Sequence, residues 1–128
     1  MDQKGLVRAV AERTTLSREE SADITRAVLE GLAGQLSEGE ARRLATELPE
    51  SLAGEVSAPR RRRKGAHPVQ VSDFIRQLSG RTGLNDEDTR AGTAAVLAAL
   101  REALGEEEYR HLIAQLPSDY TGLVQAAS

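Results

Sequence analysis

The sequence predicts an all-α protein. It reads as a tandem duplication of a three-to-four-helix unit, with two lobes packed as a pseudo-twofold helical bundle. Three observations carry this. Shifted by 68 positions, the chain matches itself without a gap: Leu6–Val56 overlies Phe74–Val124 with 19 identities in 51 positions. A repeat of that length decides the architecture before any single element does. Apolar residues recur at helical spacing behind capping sequences, and no stretch sustains the alternation of a strand. Aromatic residues are reduced to Phe74, Tyr109 and Tyr120, so the core must be built from Leu, Val, Ile and Ala.

In the first copy, Leu6, Val7 and Val10 place an apolar stripe on helix 1. Arg13 sits near its C-terminal end, where a cation complements the helix dipole. Ser17-Arg18-Glu19-Glu20 reads as a capping box, with Ser at the cap and Glu three residues on. Helix 2 then runs to about Leu36. Ser37-Glu38-Gly39-Glu40 is a second capping box, and helix 3 follows to about Leu48. Pro49 suits the first turn of a new helix, on which Leu52 and Val56 lie one turn apart.

The second copy repeats the plan. Ser72 or Asp73 is the expected cap of helix 1, with Phe74, Ile75 and Leu78 turned inward. Asn85 caps helix 2, and Asp86, Glu87 and Asp88 fill its first turn, where negative charge is favoured. Gly105 stands where the first copy has Ser37, a weaker cap. Helix 3 buries Leu112, Ile113 and Leu116. Pro117 opens helix 4, which carries Tyr120 and Val124. Helix 2 carries no charge from Ala91 to Leu100. Its counterpart, Ile24–Leu36, is rich in Ala and Gly. A helix apolar nearly all round is buried on more than one face. The expectation is that both second helices lie at the centre, with glycines where another backbone comes close.

The predicted organisation is a helical repeat at residues 1–56, a basic linker at 57–70 and a second helical repeat at 71–128. Residues 1–56 carry net −4, residues 57–68 carry +5 and residues 69–128 carry −4. Arg60, Arg61, Arg62, Arg63 and Lys64 form the basic run, bracketed by Pro59 and Gly65, and are the candidate polyanion- or partner-binding residues. Full engagement with duplex DNA would give a salt slope of roughly −4.5. The acidic lobes, the near-absence of stacking aromatics and the lack of any helix-turn-helix or zinc-finger spacing disfavour nucleic acid. The bland reading of the run is a solvated spacer. The chain has no cysteine, which fits a reducing cytoplasm. The N-terminus lacks a signal-peptide pattern. No apolar run approaches the roughly 20 residues that span a bilayer, so no membrane partner is expected.

Chemistry is hard to find. There is no G-x-S-x-G, no P-loop and no G-x-G-x-x-G, and neither His67 nor His111 has an evident relay. Glu108-Tyr109-Arg110-His111 is an E-x-x-H, the spacing that turns a carboxylate and an imidazole to one metal in helical bundles. Such sites need a second pair, and the matching position in the first copy is Arg43. No catalytic residue, metal site or cofactor is therefore expected.

The blocks Ala27–Leu32, Glu38–Pro49, Ala95–Leu100 and Glu106–Pro117 together resemble an uncharacterised bacterial family, domain of unknown function 2267. The resemblance covers nearly the whole chain. It implies a small, all-helical prokaryotic protein with no established activity and no catalytic residues to carry over. Members look to have a glutamine before the Leu-Pro step. Gln115 keeps it and Glu47 departs from it. The expected function is non-enzymatic binding of a macromolecule in the cytoplasm, a protein partner or self-association. The alternative is an accessory nucleic-acid or acidic-partner binder acting through Arg60–Lys64.

Overall fold

The computed structural model describes residues 3–48 and 69–126. Among them are seven helices and no strand. They are α1 (Gln3–Glu12), α2 (Arg18–Gln35), α3 (Glu38–Glu47), α4 (Val71–Thr82), α5 (Asp86–Leu104), α6 (Glu106–Ala114) and α7 (Asp119–Ala126). Pro49, the expected short helix carrying Leu52 and Val56, and the run Arg60–Lys64 lie outside the described residues, as does the side chain of Val124.

The helix starts follow local chemistry. Ser17 accepts from the Glu20 N–H at 3.1 Å, and the Ser17 N–H donates to Glu20 Oε1 at 2.9 Å, so the expected capping box is complete. Asn85 accepts from the Asp88 N–H at 2.7 Å. At Ser37 the hydroxyl accepts from the Glu40 N–H at 3.2 Å, but the reciprocal bond is not formed. Gly105 ends α5 and starts α6 at φ 89°, ψ 161°. That positive φ strains any residue with a Cβ, which explains why the serine of the first copy is replaced here.

One cap differs from expectation. Neither Ser72 nor Asp73 caps α4; the N-cap is Gln70, which makes no side-chain capping bond. The Val71 N–H donates instead to Asp119 Oδ2, 3.0 Å away on α7. A tertiary carboxylate thus satisfies an orphan donor that sequence-local side chains leave open. Arg13 follows the end of α1, as expected, and makes a contact the sequence does not show. Helix α1 ends at Glu12, and the Arg13 guanidinium pairs with Glu102 on α5.

The helix ends repeat closely. The Thr14 hydroxyl donates to Val10 O at 2.9 Å and accepts from the Leu16 N–H at 3.2 Å. Thr82, 68 residues on, donates to Leu78 O at 2.8 Å and accepts from the Leu84 N–H at 3.3 Å. Gly83 follows at φ 78° as a left-handed C-cap.

A single apolar core runs from Leu6 to Tyr120 through both halves of the chain. Helix α1 packs against α2 and α5, and α4 packs against the same two. Helices α2 and α5 also pack on each other. Ala95 and Ala99 are buried and Gly31 is partly buried, so the second helices are covered on more than one side. The expected close backbone approach at their glycines is instead an approach of side chains. Gly31 leaves room for the Phe74 ring. A Cβ at Gly92 would sit 3.0 Å from Ile24 Cγ1 and 3.2 Å from Leu16 Cδ1. Of the third-helix residues expected inside, Leu112 and Leu116 are buried and Ile113 is only partly so.

Candidate functional site: an apolar groove

A groove of about 680 Å³ opens between α5, α7, the start of α4 and the residue following α1. Ala91, Ala94 and Ala95 of α5 line it, with Gly122 and Leu123 of α7 and Val71 and Ser72 of α4. Ala91 is exposed, while Ala94 and Ala95 are buried beneath it. Arg13, Arg90 and Asp119 supply the charge. Each is already engaged: Arg13 with Glu102, Arg90 with Asp86 at 3.4 Å, and Asp119 with the Val71 N–H. The volume lies within the range of small-ligand and peptide-side-chain pockets.

The same positions in the first copy have different chemistry. Ala91 and Ala94 stand opposite Asp23 and Arg26, both exposed, and Val71 and Ser72 opposite Gln3 and Lys4. Arg13 and Arg81, in contrast, recur at matching positions; Arg81 pairs with Glu30 of α2 at 2.6 Å.

The E-x-x-H pair is split between two partners. Glu108 takes a 2.6 Å hydrogen bond from Arg43 on α3, which holds that guanidinium more firmly protonated than usual. His111 Nε2 lies 3.9 Å from Glu40 Oε1, also on α3. Among the described residues no group of three or more His, Asp and Glu side chains is placed to hold a metal ion. The two contacts are reciprocal under the repeat shift, because 40 matches 108 and 43 matches 111. At the turn into α6, the Arg101 hydrogen bond pulls the Glu106 carboxyl below its ordinary range.

Two buried tyrosines flank this frame. Tyr120 accepts from Gln35 Nε2 at 2.8 Å and donates to Val69 O at 2.6 Å, while the Val69 N–H donates to Gln35 Oε1 at 2.8 Å. This closed three-residue ring ties the residue where the described chain resumes to α2 and α7. The Phe74 and Tyr120 rings stack tilted, centroids 5.7 Å apart. Tyr109 is buried as well, but among the described residues its hydroxyl has no hydrogen-bond partner. Burial pushes both phenols up to about 12.

Sequence reasoning singled out the charge-free stretch of α5 but not the groove. The groove needs Arg13, Val71 and Leu123 to meet, which no local pattern announces. The contrast of Ala91 with Asp23 across the repeat was the available signal. The sequence-predicted Arg60, Arg61, Arg62, Arg63 and Lys64 lie outside the described residues, so no geometry attaches to them. No described helix is long and apolar enough to cross a membrane.

No curated protein matches the chain. The family model described as "Uncharacterized conserved protein (DUF2267)" matches residues 3–123. That span takes in every wall of the groove and both faces of the α3–α6 contact, and the all-helical fold agrees with what the repeated blocks imply; the chain belongs to the DUF2267 family.

Proposed function

We propose that this chain is a non-enzymatic helical interaction module that binds another protein, or a second copy of itself, through the groove between α5 and α7. The observation that carries the reading is the apolar floor at Ala91 and Ala94, where the matching helix of the first copy presents Asp23 and Arg26. Ala91 is exposed at the mouth of the groove and Ala94 is buried beneath it, so the opening has an apolar lining that a partner's side chain can enter. The scaffold beneath is a duplicated unit, residues 1–56 and 71–128, closed on itself about a pseudo-twofold axis. Reciprocal packing of α1 and α4 on both second helices supports this, as do the paired contacts of 40 with 111 and 43 with 108. The Ile24–Gly92 contact joins two positions that match each other under the repeat shift, as expected on such an axis.

Ala91→Glu tests the reading. The site is exposed, so the fold should tolerate the change. A protein retained by the parent chain from native cytoplasm and lost by Ala91→Glu supports the proposal; identical retention by both removes it. Light scattering of the two chains covers the self-associating case.

A second reading rests on Arg60–Lys64, five consecutive cations between two net acidic segments. It makes the linker an accessory contact to nucleic acid or an acidic partner. A gel shift against duplex DNA at low and moderate salt decides it: retardation that survives replacement of Arg60–Arg63 by Ala ends this reading.

A further inference from the structure

We infer that side-chain size selects which repeats can pair: a first repeat accepts a second repeat and rejects another first, whether in one chain or between copies. The inference rests on the pseudo-twofold pairing proposed above. The faces that meet are otherwise alike. Ala27, Val28, Leu29 and Leu32 of α2 recur 68 residues on as Ala95, Val96, Leu97 and Leu100 of α5, and all are buried. Faces this similar would serve equally well to join two first repeats, or two second repeats, from separate copies of the chain.

The repeats differ where size decides the pairing. Ile24 matches Gly92 under the repeat shift, and the two abut. About a twofold axis, two first repeats would set Ile24 against its own copy, and two second repeats would set Gly92 against Gly92. A second difference lies off the axis. The Phe74 ring of α4 takes the space beside Gly31 of α2, and a Cβ there would collide with ring atom Cε1. The matching residues are Leu6 of α1 and Ala99 of α5, both buried, on two helices that also pack together. There a smaller side chain goes with the position that has a Cβ. Two second repeats would drive Phe74 onto Ala99, and two first repeats would leave space between Leu6 and Gly31. Overfilling forces side chains off their preferred rotamers and underfilling leaves a cavity, and both destabilise. Each like pairing thus carries a clash at one site and a void at the other, while the unlike pairing is filled at both. Discrimination of this kind works by penalising the wrong partner.

The test uses the full chain and has two parts. In the first, Gly92→Ile and Gly31→Ala should each lower the urea midpoint. Adding Ile24→Gly to the former and Phe74→Leu to the latter should restore most of the loss, as size-matched pairs do in a double-mutant cycle. In the second, one chain carries Ile24→Ala, Gly92→Ala, Gly31→Ala and Phe74→Leu together, which makes the repeats alike at these positions. Refolded from urea at high concentration, it should yield about tenfold more protein of twice the parent's mass than the parent does, by light scattering. Exchange of unlike repeats is open to both chains, so only the difference reports the selection. Leu29→Ala, a core change that leaves the size pattern intact, should give no such rise. Failure of both rescues overturns the size matching. Rescue at 31 and 74 without rescue at 24 and 92 overturns the twofold pairing and the selection built on it. With both rescues present, equal dimer yields from the parent and the fourfold variant overturn the selection alone, and so does an equal rise in Leu29→Ala.

Discussion

Ser21 and Thr89 occupy matching places near the starts of α2 and α5, and both are fully buried, yet only one is satisfied. The Thr89 hydroxyl donates to Asn85 O at 2.7 Å and accepts from the Ser79 hydroxyl at 2.9 Å. Among the described residues the Ser21 hydroxyl has no partner, and the position matching Ser79 is Ala11. Thr14 and Thr82, by comparison, keep the same two bonds in both halves. The contrast shows which bonds recur between positions 68 residues apart and which do not. Bonds that end a helix are retained because backbone groups depend on them. The side-chain bond of Ser79 to Thr89 is not retained, and Ser21 is left carrying the desolvation cost of a buried hydroxyl.

The largest effects should show whether the halves share one core. Leu29→Ala and Leu97→Ala remove fully buried, matching side chains and should each cost about 2–5 kcal/mol. Both should lower the whole chain's stability in a single urea transition. Separate transitions for the two halves would break the picture of one core.

The two tyrosines sharpen the comparison next. Tyr120→Phe leaves Gln35 and Val69 O short of a partner and should cost about 1–3 kcal/mol. Tyr109→Phe removes a hydroxyl with no partner among the described residues and should be neutral or slightly stabilising. A loss at Tyr109 equal to that at Tyr120 would contradict the difference in their surroundings. Their ionisation gives a second readout. Both phenols sit at about 12 when folded, above an unfolded value of about 10. Burial of the neutral form therefore contributes stability that is fully present below pH about 10 and lost as pH rises towards about 12. The urea midpoint should fall across that window, and less steeply in Tyr109→Phe.

Smaller still is the repair of Ser21. Ala11→Ser restores the partner that Ser79 supplies in the other half and should stabilise by about 0.5–1.5 kcal/mol. No change in the urea midpoint would mean that Ser21 finds its satisfaction elsewhere. The least effect is expected at Arg43→Gln. Its pair with Glu108 is solvent-exposed, and a double-mutant cycle should find only weak coupling.

Much of the fold was legible in the sequence because short-range chemistry sets it. Ser17, Ser37 and Asn85 announce their helices, and the stripes Leu6–Val10 and Phe74–Leu78 mark the faces that become buried. What could not be read depends on residues far apart in the chain. Asp119 caps α4 across 48 residues, and Arg13 reaches from the end of its own helix to Glu102. The glycines of the second helices were correctly flagged, but the neighbours filling their space, Phe74 and Ile24, come from other helices. The groove was hidden for the same reason, since its walls belong to four separate segments.

The packing of α1 and α2 onto α5 also has a bearing on how the chain is made. Gln35 meets Tyr120 across 85 residues, and Arg13 meets Glu102 across 89. At translation speeds of about 5–20 residues per second, such partners emerge roughly 4–18 s apart. Until α5 emerges, the nascent first half displays Ile24 without the helix that covers it. The chain's most vulnerable moment thus comes during synthesis, before α5 leaves the ribosome, and a chaperone that holds apolar helices would have its clearest target there.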